Sequence, residues 1–137
     1  MLLSIDTEAI SFHFIFISFD SKASSTGSCS EDNNVGIRNE LKVIPDAQIT
    51  ASSNNGDMFL PKFGRLEGTS AWCPDPAEMV ADGPYLQIDL GQKYVICGVE
   101  AQGRPGVSVT TSFKLSFSDD NSMYTEYNSD QVNGETA

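Results

Sequence analysis

Few residues of this chain have the type and spacing that bond-making chemistry needs. His13 is the one histidine, and it lies far in sequence from Cys29, Cys73 and Cys97. No two of these cysteines form a C-x-x-C pair, so a zinc site is not expected. Asp75, Glu78 and Asp82 gather in a Pro-containing stretch and are the residue types of a general acid and base. A glycosidase pair, however, is defined by a separation in space that sequence spacing does not supply, and a solvated acidic loop is the plainer reading. No G-x-S-x-G, H-E-x-x-H or phosphate-cradling glycine loop occurs, and no EF-hand loop. No catalytic residue, metal or cofactor is expected.

Chemistry by contact, that is binding, is left, and composition narrows the partners. The 137 residues carry a formal net charge of -11. Such a field repels phosphate backbones, so nucleic acid is not an expected partner, and it opposes adhesion to anionic membranes. Sugars and proteins are compatible with it. The length allows one domain, and 39% hydrophobic residues suit a folded one. An odd number of cysteines leaves at least one thiol unpaired within the chain.

The elements that must position a binding surface read as strands. Gln48–Ser52 is short and β-prone. In Tyr85–Leu90, Leu86, Ile88 and Leu90 alternate with Gln87 and Asp89, the period of a half-buried strand. Gly91-Gln92 turns the chain into Tyr94–Gln102, with Val95, Cys97, Val99 and Ala101 on one face. Phe113–Phe117 and Tyr124–Tyr127 follow, separated by the turn Ser118–Asn121. Short alternating strands with frequent turns predict an antiparallel β-sandwich. The first 28 residues are read separately. Their apolar stretch Ala9–Phe19 is too short to span a bilayer, and with Ala23-Ser24-Ser25 it has the look of a signal peptide. Asp6 and Glu8 stand where such a peptide wants Lys or Arg, and Phe12–Phe19 equally suits a strand. The domain is expected to run from 29 to 137.

Five strings then become specific. They are Ile44–Ser53, Gly64-Arg65-Leu66, Ala71-Trp72-Cys73-Pro74, Tyr85–Gly91, and the pair Gly98–Arg104 with Thr111–Asp120. In this order and spacing they resemble the discoidin family, also called coagulation factor five/eight type C domains. The resemblance implies a jelly-roll, galactose-binding-like β-sandwich with ligand loops at one end. It implies an extracellular adhesion or recognition module, without catalytic function. The pattern also continues for about another 50 residues in a typical domain of this kind, through closing strands and a terminal Cys. By the resemblance Cys29 bonds that Cys, and Cys73 bonds another late one in some members. The fold expected is therefore a jelly roll missing its last strands, with open sheet edges.

By the same resemblance the ligand rim comprises three loops. The first holds Asn54, Asn55, Gly56, Asp57, Met58 and Phe59, an apolar pair beside turn residues that suits insertion or stacking. The second holds Glu67, Thr69 and Ser70, short polar side chains that serve a ligand or a turn. The third holds Arg104 and Val107, with Arg104 the cation available to a carboxylate or phosphate. Trp72 reads as packing beneath the loops, and Arg65 and Asp89 as structural partners of one another. The ligand classes are a cell-surface glycan, a matrix or receptor protein such as collagen, or a phospholipid headgroup. The charge ranks the first two above the third.

Overall fold

A computed structural model describes residues 1–7, 13–20, 34–36, 44–78, 83–93, 95–103 and 113–127. Eight strands run through them: β1 (Leu2–Thr7), β2 (His13–Asp20), β3 (Asn34–Gly36), β4 (Ile49–Ala51), β5 (Tyr85–Asp89), β6 (Val95–Gly103), β7 (Phe113–Ser118) and β8 (Thr125–Glu126). One sheet has the order β4-β5-β1-β7-β8 and the other β3-β2-β6, with every pairing antiparallel. Among the described residues there is no α-helix, and single 3-10 turns bridge the loops. This is the all-β jelly-roll class that the alternation and the motif strings predict.

The strands form where side chains alternate. In β5, Leu86 and Ile88 are buried while Tyr85 is exposed, and Leu90 continues the buried row just past the strand. The core gathers Leu3, Ile5, Ile44, Ile49, Trp72, Leu86, Ile88 and Leu90. Burying one such side chain contributes about 1.5–3 kcal/mol, so this cluster is the main adhesive of the five-stranded sheet. Phe113 and Phe117 lie across from Thr7 and Leu3, on the core-facing side of β7, yet each keeps more than a third of its surface open.

The N-terminus departs from the expectation of a domain running from 29 to 137, with residues 1–28 signal-like or outside it. Residues Leu2–Thr7 form the middle strand of the five-stranded sheet, with Leu3 and Ile5 1% and 0% exposed. The reason is legible afterwards: Leu3 and Ile5 flank the small Ser4, so the segment carries the period of two that a central strand needs. In the five-stranded sheet β5 is paired to β4 and β1, and β7 to β1 and β8, which leaves short strands at its rims, while in the other sheet the nine-residue β6 stands at a rim.

Candidate functional site

The first two loops of the expected rim fold against each other, and β4 and β5 anchor them. As β4 ends, the Ser52 amide donates to the carbonyl of Tyr85 at 3.0 Å, and the Tyr85 amide donates to the Ser52 hydroxyl at 3.1 Å. Ser53 then acts as a hub. Its carbonyl accepts from the indole N–H of Trp72 at 2.9 Å and its hydroxyl accepts from the Asp75 amide at 2.9 Å. Trp72 has no exposed surface, so its ring supports the loops from below.

Beyond Ser53 the chain makes a tight excursion. The Asn54 side-chain amide donates to the carbonyl of Gly56 at 3.2 Å, and Gly56 takes φ 78, a left-handed value that costs glycine nothing. Asp57–Phe59 forms a 3-10 turn closed by the Phe59 amide on the Gly56 carbonyl at 3.1 Å. The turn leaves Met58 72% exposed at the tip while Phe59 and Leu60 are half-buried. Asn55 and Asp57 are exposed beside it.

The second loop seals the first. The Asn55 amide donates to the Cys73 carbonyl at 2.8 Å, the Cys73 amide donates to the Phe59 carbonyl at 3.4 Å, and the Ser70 hydroxyl donates to the Met58 carbonyl at 2.8 Å. Glu67 and Thr69 are exposed, and Glu67 is held at φ 57, a conformation that costs a residue with a β-carbon about 1 kcal/mol or more. The structure thus brings Asn54, Asn55, Gly56, Asp57, Met58, Phe59, Glu67, Thr69 and Ser70 onto one bonded pair of loops. Arg104 and Val107, the third-loop candidates, lie outside the described residues.

One cation next to the first loop in sequence lies outside the motif reading, which names Arg104 alone. Lys62, in the 3-10 turn Pro61–Phe63 that follows the first loop, holds its ammonium 5.2 Å from the centre of the Phe63 ring. The adjacency of Lys62 and Phe63 in sequence was the available signal.

Arg65 does not pair with Asp89. Its guanidinium reaches Asp46 instead, with Nε at 3.0 Å and Nη2 at 2.7 Å from the same carboxylate oxygen, and Nη2 also donates to the Ile44 carbonyl at 2.6 Å. The 3-10 turns Asp46–Gln48 and Pro61–Phe63 pack side by side, which delivers Asp46 to the buried guanidinium. Asp89 points its carboxylate into its own turn, accepting from the Gly91 amide at 2.8 Å. Among the described residues, Nη1 of Arg65 finds no partner. Cys73 is buried, and no disulfide joins two of the described residues. Cys29 and the Cys97 side chain lie outside them.

Among the described residues no group of three His, Cys, Asp or Glu is placed to hold a metal ion. No helix among them is long and apolar enough to cross a membrane.

Comparison with known proteins agrees with this architecture. Residues 48–137 match the F5/8 type C domain. Over 86 residues, 58% of the chain, it is 35% identical to epithelial discoidin domain-containing receptor 1 of Homo sapiens, and over 111 residues, 72% of the chain, 33% identical to lactadherin of Rattus norvegicus. A stretch of 103 residues, 70% of the chain, is 29% identical to hemocytin of Bombyx mori. The aligned parts span 9% of the receptor, 24% of lactadherin and 3% of hemocytin. No solved structure matches at a comparable level of significance. With the motif strings, the strand order and this match in agreement, the chain belongs to the F5/8 type C, or discoidin, domain family.

Proposed function

We propose that the chain is an extracellular adhesion module that recognises a cell-surface glycan or a matrix or receptor protein through the paired loops. The observation that carries this reading is the tip itself. Met58 is 72% exposed on a loop closed by five backbone and side-chain hydrogen bonds, so an apolar contact is presented on a rigid base. Rigidity matters because a loop already held in its binding shape loses little entropy on contact. The same pair of loops carries Asn54, Asn55, Asp57, Glu67, Thr69 and Ser70, whose amides, carboxylates and hydroxyls suit a sugar or a peptide backbone. Kinship with a receptor and with lactadherin supports the role of a binding module.

A phospholipid headgroup is the second reading, favoured by the exposed Met58 and by Lys62 in the turn that follows its loop. The net charge of -11 weighs against it for anionic lipid. The two separate in one experiment: the full chain is applied to a glycan array, to immobilised matrix proteins and to phosphatidylserine vesicles. Saturable binding to a glycan or a protein is expected, and binding to vesicles alone, surviving physiological salt, would overturn the ranking.

A further inference from the structure

Residues 48–137 carry the family match, yet the middle strand of each sheet comes from outside them. β1 separates β5 from β7, and β2 separates β3 from β6. Without β1 the five-stranded sheet falls into two ribbons, β4-β5 and β7-β8, each with a raw edge of unpaired N–H and C=O groups. The geometry points to a strand-binding site in the gap between β5 and β7, and to Leu2–Thr7 as its in-chain occupant, a donor strand that stays with the folded protein.

The fit is specific on both edges and both faces. β1 lies antiparallel to β5 over Leu2–Asp6 and antiparallel to β7 over Leu2–Thr7, so the site reads the strand through main-chain bonds on two sides. The register is extended by the Leu90 amide, which donates to the Met1 carbonyl at 3.0 Å. On the core face, Leu3 sits between Ile88 and Phe117 and Ile5 between Leu86 and Leu115, and both are fully buried. On the other face, Ser4 sits between Gln87 and Ser116 at 7% exposure, and Asp6 sits between Tyr85 and Lys114. The site therefore takes an extended segment of the pattern apolar, small polar, apolar, acidic. A shift of one residue would turn Leu3 and Ile5 away from the core, so the register is fixed by this pattern. A cut at Ala23-Ser24-Ser25 would carry away β1 and β2 together, which places Leu2–Thr7 and His13–Asp20 among the working parts of the fold. The proposal is independent of which ligand the loops bind.

Hydrogen–deuterium exchange on the full chain, read by mass spectrometry at two protein concentrations, tests it. Amides of residues 2–7 are expected to be protected to within about tenfold of those in 85–89 and 113–118, at a monomeric mass and at both concentrations. Ile5→Ala is expected to raise exchange in β5 and β7 together, while the conservative Ile5→Val leaves both near wild type. Residues 2–7 exchanging like an unfolded peptide while β5 and β7 stay protected would overturn the proposal. Protection of residues 2–7 that fades on dilution along with a dimeric mass would assign the gap to a second copy, and overturn the in-chain assignment.

Discussion

The hydroxyl of Ser70 donates to the main-chain carbonyl of Met58 at 2.8 Å, joining two loops whose bonded residues stand 12 apart in sequence. Because the bond ends on a carbonyl, it fixes where the Met58 side chain points without occupying that side chain. Ser70→Ala is expected to lower stability by about 0.5–1.5 kcal/mol in denaturant melts and to weaken ligand binding severalfold. Loss of stability with unchanged affinity would separate the two loops functionally.

Arg65 is 1% exposed and depends on Asp46 for its charge partner. Asp46→Asn leaves the guanidinium buried with a neutral acceptor. A cost of about 2 kcal/mol is expected, below that of a fully buried pair because 44% of the Asp46 side chain meets water. Urea denaturation of the variant measures it. Asp89→Asn, by contrast, is expected to move stability by less than about 0.5 kcal/mol, since among the described residues that carboxylate serves a local, exposed turn.

Gly64 has an ordinary φ of -71, so its requirement is space. A β-carbon there would stand 3.1 Å from Leu86 Cδ2, 3.2 Å from the Pro61 carbonyl oxygen and 3.4 Å from Trp72 Cβ. The side chain can give way and the carbonyl cannot. Gly64→Ala is expected to cost about 1–3 kcal/mol, read as a lower denaturation midpoint at unchanged slope.

Asp6 gives a pH signature to the donor strand. Burial, then the nearby Glu126, push its carboxyl above the ordinary aspartate value, with Lys114 opposing. A raised value in the folded state means that the fold favours the protonated form. Its contribution to stability is present below the unfolded pKa of about 3.9 and is lost as pH rises through the folded value. Asp6→Asn is therefore expected to stabilise the chain near neutral pH, and the difference should vanish on acidification. Asp120 behaves oppositely: the Ser122 and Met123 amides, followed by the hydroxyls of Ser122 and Ser118, hold its carboxyl well below the usual range. That stabilisation is present at neutral pH in both proteins and cancels in the comparison.

What could be read in advance follows the physics of each element. Leu86, Ile88 and Leu90 announce β5 because a strand with one buried face must alternate, and Trp72 announces packing because so large a ring is rarely spared from a core. β1 was hidden by context: the apolar run after it drew the first residues into a signal-like reading, although Leu3 and Ile5 already carried the strand period. The Arg65–Asp46 pair was hidden for a different reason. It joins residues 19 apart in sequence through two 3-10 turns packing side by side, and no local pattern encodes that contact. The rim residues were legible as a motif, but their arrangement was not. The bonds from Ser70, Asn55 and Cys73 end on main-chain carbonyls, which every residue has.

The most direct test of the account is the affinity of the full chain for its best glycan or matrix-protein ligand, before and after Met58→Ala. The Ser70 bond to the Met58 carbonyl survives this change, so the loop keeps its shape and only the exposed side chain is lost. A fall of about tenfold or more in affinity, with an unchanged denaturation midpoint, is predicted. Affinity equal to that of the wild-type chain would contradict the assignment of the paired loops as the binding surface.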